Sequence, residues 1–301
     1  MDYYKEIKNE LLNNEINKAV KTYSINKNDL TTYYNVGKLL IEAQGGEKRA
    51  KYGNGLIKEY SVKLTNELGK KYSVTTLKYM RQFCLFIEKG QPLVDSLSWS
   101  HYIVLLPLKD INKIVYYISQ VKKRNLTKRQ LQEAIKNKEY ERLPIETKEK
   151  LVSKNNETKI TDYIKDPIVI RNKNNYIDVS ERVLQRMILD DIPSFLEELG
   201  EGFTFIKNEY KIKMGNNYNY IDLLLFNYIY NAFVVVELKV TELKKEHIGQ
   251  IEIYMNYIDK FLKAVNQNKT VGIIIVRKNN KNVIEYVSDK RILSKEYQIV
   301  N

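Results

Sequence analysis

Cysteine, histidine and tryptophan are nearly absent from this chain, and each absence removes a class of explanation. A single cysteine, Cys84, excludes an internal disulfide framework and fits a reducing compartment. There is one tryptophan, Trp99, and His101 is one of two histidines. No second His, Cys or carboxylate stands at ligand spacing from His101, so LSWSHY reads as an aromatic anchor beside a capping or hydrogen-bonded histidine rather than a metal site. Long apolar runs are missing as well. None approaches the roughly 18 residues a membrane-spanning helix needs. The N-terminus MDYYKEIKNE alternates in charge and has no apolar signal core. The expectation is a soluble, cytoplasmic protein with no membrane partner.

What the chain does have is positive charge. Its net charge is +13 and its pI about 9.3, which suits a polyanionic partner. The charge is uneven. Residues 1–153 hold 28 Lys and Arg against 17 Asp and Glu, whereas residues 154–301 hold 22 against 20. AT-rich coding bias enriches lysine generally but does not produce such a split. Nucleic-acid binding is therefore expected of the first half.

That half has helical periodicity throughout. Between helical segments lies AQGGEKRAKYGNG, whose four glycines flank or adjoin Lys48, Arg49 and Lys51. Its spacing matches neither a Walker loop nor a dinucleotide fingerprint, so it reads as a plain loop or as a phosphate contact. Two helices, 56–68 and 74–88, joined by a short turn, resemble a helix-turn-helix and offer Ser73, Thr75, Thr76, Lys78 and Arg81 to phosphates or bases. A solvated helix face is the competing reading. Thr127 with Gln130 forms a capping box. Around it Lys122, Lys123, Arg124, Lys128 and Arg129 make the densest basic patch in the chain. Residues 1–150 are assigned to a helical, basic domain. The polar stretch 144–161 is read as a linker, and residues 162–301 as a second domain.

In the second domain, residues 178–199 read as a helix that Pro193 kinks or divides. Three strands follow, then a helix over 244–262, a buried strand over 270–276 and a further strand over 282–287. The order α, β, β, β, α, β predicts a mixed sheet flanked by helices. The middle strands carry the chemistry, in YIDLLLFNYIYNAFVVVELK. Side chains alternate across a strand, so Glu237 and Lys239 share a face. If the neighbouring strand is antiparallel, Asp222 meets Glu237. Two carboxylates with open positions suit Mg²⁺ or Mn²⁺ and phosphate chemistry, with Lys239 orienting water or stabilising charge. The alternative is an Asp in a turn and a Glu–Lys pair where a strand leaves the core. Gln250 and Tyr254 share a face of the following helix, and Glu181 and Gln185 a face of the preceding one.

With these residues in place, the chain resembles the bacterial YhcG-like family, whose members join an N-terminal helical domain to a C-terminal PD-(D/E)XK nuclease domain. The phrases carrying the resemblance include YGNGLIKEYSVKL, LKYMRQF, LSWSHY, FLEELGEGFTFI, YIDLLLF, VVVELK and GQIEIYMNYID. They run over about residues 30–300. The resemblance implies a restriction-endonuclease-like fold and a metal-dependent DNA nuclease, with DNA bound by the N-terminal domain, in DNA processing, mobile-element biology or defence. It assigns Asp222, Glu237 and Lys239 to the metal and catalytic motif, and Gln250 and Tyr254 to the following-helix motif. Relatives tend to read E-x-x-L-E where this chain has Glu181-Arg182-Val183-Leu184-Gln185. The second acid is thus Gln185, which keeps a place beside a metal-bound water, and Glu181 is the alternative helix ligand. The leading expectation is a Mg²⁺- or Mn²⁺-dependent DNA endonuclease acting as a homodimer. Competing expectations are a nuclease fold kept for gripping DNA or a partner, and an enzyme acting on branched DNA or RNA.

Overall fold

The computed structural model describes residues 24–46, 54–68, 72–89, 97–153, 160–162 and 164–301. The chain divides into two compact units, Met1–Tyr140 and Glu141–Asn301.

The first unit is helical among its described residues: α1 (24–43), α2 (Asn54–Leu68), α3 (Val74–Glu88), α4 (Trp99–Leu105), α5 (Ile111–Arg124) and α6 (Lys128–Lys136). Polar residues set the helix starts. Ser73 accepts from the Thr76 N–H, Asp110 from those of Asn112 and Lys113, and Thr127 from that of Gln130. Leu40, Ile57, Leu77 and Met80 form one core cluster, against which Tyr33, Tyr60 and Trp99 pack. Gly37 lets α1 approach α3 closely, since a Cβ there would collide with the Met80 carbonyl. His101 caps its own helix, its Nδ1 accepting from the Ser98 N–H at 3.1 Å.

The second unit opens with α7 (Ile145–Ser153), so part of the stretch expected as a linker is helical. A six-stranded sheet follows, built from β1 (Ile168–Arg171), β2 (Phe203–Met214), β3 (Asn217–Asn227), β4 (Ala232–Glu242), β5 (Val271–Lys278) and β6 (Ile292–Val300), in the spatial order β1-β6-β5-β4-β3-β2. The β1–β6, β5–β6 and β4–β5 pairs are parallel, and the two hairpin pairs, β3–β4 and β2–β3, are antiparallel. The mixed sheet is thus as expected, with β1 and β6 added at one side.

Helices α8 (Glu181–Asp190) and α9 (Ile192–Leu199) pack on one face through Leu184, Met187, Ile188, Phe195 and Leu199. They are separate helices. Asp191 leaves helical geometry, and Pro193 sits in the first turn of α9, where its missing N–H costs nothing. The other face is covered by α10 (Lys245–Phe261) through Ile251, Tyr254, Met255 and Ile258. The expected strand over 282–287 is instead a short helix, α11 (Lys281–Glu285), whose first N–H groups are capped by the Asn280 side chain. Its apolar residues stay partly or largely exposed, so no sheet edge draws them in. Below α9, the Glu198 carboxylate takes hydrogen bonds from Arg142 and from the Val169 N–H, with Lys165 3.4 Å away.

Candidate active site

Strands β3 and β4 separate at Asp222. Their ladder runs from Asn227↔Ala232 to Leu223↔Val236. One step further the register sets Asp222 opposite Glu237, but there the pairing stops while β4 continues along β5 as far as Glu242. The rest of β3 stays paired with β2 and bends over α10, burying Ile212 and Ile221 beside Tyr254 and Met255. A fork of this kind frees backbone groups that must find other partners. The Leu238 N–H donates to the Asp222 carboxylate at 2.8 Å. The Asp222 main-chain carbonyl accepts from the side-chain amide of Gln185, on α8, at 3.0 Å.

The acids stand inside this fork. Glu237 is buried, with one oxygen accepting from Lys239 Nζ at 2.9 Å and the other without a hydrogen-bond partner. Burial and the facing Asp222 push its carboxyl up to about 7, despite the Lys239 ammonium. Asp222 is also raised, by burial first, and Glu181 and Glu209 add to the rise while the Leu238 N–H and Lys239 oppose it. Burial disfavours the Lys239 ammonium, but its bond to Glu237 and the surrounding acids leave it above the ordinary lysine value. Glu181 stands at the start of α8, 3.5 Å from Lys239, with its side chain about 44 % exposed. On α10, Gln250 donates to the Tyr254 hydroxyl at 3.0 Å, and Tyr254 lies within electrostatic range of Glu237 and Asp222.

The structure thus brings together Asp222, Glu237, Lys239, Glu181 and Gln185, with Gln250–Tyr254 close by. It does not assemble a ready cage: among the described residues no three His, Cys, Asp or Glu side chains are grouped to hold a metal. Where a third acid would come from α8, Gln185 is tied to the backbone of Asp222 and Glu181 leans on Lys239. The chemistry still fits a divalent cation. Two facing carboxylates carry more negative charge than one ammonium balances, and a buried carboxylate oxygen lacks a donor.

Two nearby residues carry no site signal in the sequence. Glu209 lies across β2–β3 from Asp222, between the pairs Asn208↔Leu223 and Tyr210↔Ile221, and has a φ of +48°. A left-handed residue inside a strand is strained, and no spacing in the sequence announces it. His247 is buried at the start of α10 and accepts from the Lys244 N–H through Nδ1 at 3.2 Å, with Lys239 and Glu181 in electrostatic range.

The residues expected to meet nucleic acid lie in the first unit. Lys48, Arg49 and Lys51 fall outside the described residues. Ser73 is engaged in capping α3, and Arg81 Nε donates to Gln44 at 2.7 Å. Arg124 pairs with Glu139 at 3.0 Å. Lys78, Lys122, Lys123, Lys128 and Arg129 are exposed. Lys122, Lys123 and Arg124 form the last turn of α5, where cations also complement the helix dipole.

A mixed sheet with acids at a strand fork and a Glu-x-Lys on the central strand defines a domain of the PD-(D/E)XK nuclease class. Residues 161–300 belong to the family of the YhcG PDDEXK nuclease domain, and residues 7–142 to that of the DUF1016 N-terminal domain. The chain is 24% identical over 317 residues to "Putative nuclease YhcG" of Escherichia coli (strain K12), spanning 92% of this chain and 84% of that protein. Among solved structures it is similar to a repair endonuclease from Pyrococcus abyssi, at 16% identity with a TM-score of 0.29, covering 40% of this chain and 48% of that one. It is also similar to the EndoMS-dsDNA2 complex, at 15% identity with a TM-score of 0.31, covering 42% of this chain and 48% of that one. The chain therefore spans about half the length of those two structures. Among the described residues no helix is long and apolar enough to cross a membrane.

Proposed function

We propose that this protein is a divalent-metal-dependent DNA endonuclease whose cleavage centre is Asp222, Glu237 and Lys239. The observation that carries the reading is the buried Glu237 oxygen without a donor, opposite a second carboxylate at the fork. Asp222 and Glu237 would hold Mg²⁺ or Mn²⁺, which when bound supplies a water of lowered pKa and neutralises charge on the scissile phosphate. Lys239 is held by Glu237 at 2.9 Å, so its ammonium is fixed beside the reacting region. It orients the attacking water and stabilises the negative charge that develops on the phosphate oxygens. Glu237, with Glu181 adding to it, keeps Lys239 charged, and Gln185 fixes the backbone of Asp222 from behind. Gln250 holds the Tyr254 hydroxyl on α10 within electrostatic range of Glu237 and Asp222. The excess positive charge of the first unit supports DNA binding there, through Lys78, Lys122, Lys123, Lys128 and Arg129. The homodimer, and Mg²⁺ or Mn²⁺ as the cation, belong to the same proposal.

The test is to incubate plasmid, linear and junction DNA with the protein in Mg²⁺, Mn²⁺ or EDTA. Cleavage with either cation and none in EDTA supports the reading. Tight, salt-sensitive DNA binding with no cleavage in any buffer favours a nuclease fold kept for binding.

A further inference from the structure

Beyond the fork, β2 and β3 run on together as a hairpin to the turn at Gly215, with no third strand against them among the described residues. Its two faces differ sharply. One packs on α10 through Tyr210, Ile212, Met214 and Ile221. On the other, alternation along β3 continues from Asp222 to Tyr220 and Tyr218, and the register sets Lys211 beside Tyr220 and Lys213 beside Tyr218. Tyr218 and Tyr220 are 53% and 52% exposed, large apolar areas to leave in water. Lys211 Nζ lies 3.8 Å from the centroid of the Tyr218 ring. At about 3.3 Å per residue, this strip extends roughly 13 Å from Asp222. Its acids, Glu209 and Asp222, are at the fork, and its cations and rings lie outward.

We infer that this outer hairpin face is the binding track for an unpaired DNA strand leading into the cleavage centre. Aromatic faces stack on bases of any sequence, and lysines alternating with them meet the phosphates between. In a paired duplex the base faces are already stacked and give the two tyrosines nothing to cover. The proposal rests on the nuclease reading and narrows its substrate to DNA with a single-stranded segment, such as a flap, gap or junction arm.

Binding is measured in EDTA, so hydrolysis plays no part and the result stands apart from any failure to cleave. The full-length protein is titrated into a single-stranded oligonucleotide carrying a stacking-sensitive fluorescent base, and separately into the same sequence as a duplex. Expected is preference for the single strand, with quenching of the reporter base. Tyr218→Ala with Tyr220→Ala weakens single-strand binding about tenfold or more and abolishes the quenching. Tyr218→Phe with Tyr220→Phe keeps both, which separates stacking from folding. Lys211→Ala and Lys213→Ala each lower the salt dependence by the equivalent of about one neutralised phosphate. Single-strand affinity unchanged by the alanine pair, or an equal loss with the phenylalanine pair, overturns the proposal. Equal binding of duplex and single strand by the native protein does so too, as does tighter binding of a single-stranded RNA of the same sequence.

Discussion

The side-chain amide of Gln185 donates to the main-chain carbonyl of Asp222, tying α8 to the strand at the point where β3 leaves β4. A carboxylate at position 185 has no N–H to give. In this chain Gln185 supports the acid from behind, which accounts for an amide at a position where the family resemblance implies a Glu. Gln185→Glu should therefore destabilise the metal-free protein by about 1–3 kcal/mol, through an orphaned carbonyl and a third negative charge. Added Mn²⁺ should raise its melting temperature more than that of the native protein. Thermal unfolding in EDTA and in Mn²⁺ checks both signs.

Glu237 is held in a fold that penalises its charge, so Glu237→Gln should stabilise the metal-free protein above pH 7. The gain is on the order of 1–2 kcal/mol, because one pK unit is worth about 1.4 kcal/mol and the Lys239 pairing is weakened in return. Urea unfolding at pH 8 in EDTA measures it. A stability loss there contradicts the electrostatic picture of the fork.

Glu198 behaves in the opposite sense. Burial acts to raise its carboxyl, but the bond from Arg142, the charges of Lys165 and Arg142 and the Val169 N–H hold it below the ordinary glutamate value. The unfolded chain then binds a proton before the folded one does. Its stabilisation is present above the unfolded pKa, about 4.3, and is lost as pH falls through the lower folded value. Unfolding free energies from pH 6 to pH 3 should fall less steeply for Glu198→Gln than for the native protein. Glu198→Ala should cost about 3–5 kcal/mol at pH 7, since Arg142 and Lys165 are left buried without it.

On the first unit, Lys122→Ala, Lys123→Ala, Lys128→Ala and Arg129→Ala together should weaken duplex binding and flatten its salt dependence, by about 0.9 in log–log slope for each phosphate no longer neutralised. Titrations at several salt concentrations give the slope. An unchanged slope means the patch does not touch DNA.

Much of the second unit is legible in the sequence because its signals are local. Asp222 and Glu237-x-Lys239 sit in apolar strands where charge is conspicuous, and period-2 alternation gives the shared face of Glu237 and Lys239. In the first unit, cap residues such as Thr127 and Gln130 announce helix starts in the same local way. The fork is not legible, since it arises from β4 pairing with β5 while the β2–β3 hairpin packs on α10, and neither relation is local. The donor role of Gln185 and the placement of Glu209 follow from the fork and are hidden with it. The run over 282–287 misleads because a short apolar segment fits helix and strand alike, and the Asn280 cap decides for helix. Strand β6 gives no clear signal because its residues are mostly half-buried and mixed with Lys295 and Glu296.

The central claim is that Asp222 and Glu237 form the hydrolytic centre. Its most direct test is cleavage of one DNA substrate in Mg²⁺ by the native protein, Asp222→Ala and Glu237→Ala, each confirmed folded by circular dichroism. The native protein should cut, and each variant should lose at least about a hundredfold in rate, the scale of removing one preorganised charge-stabilising group. Cleavage that survives both substitutions would contradict the assignment.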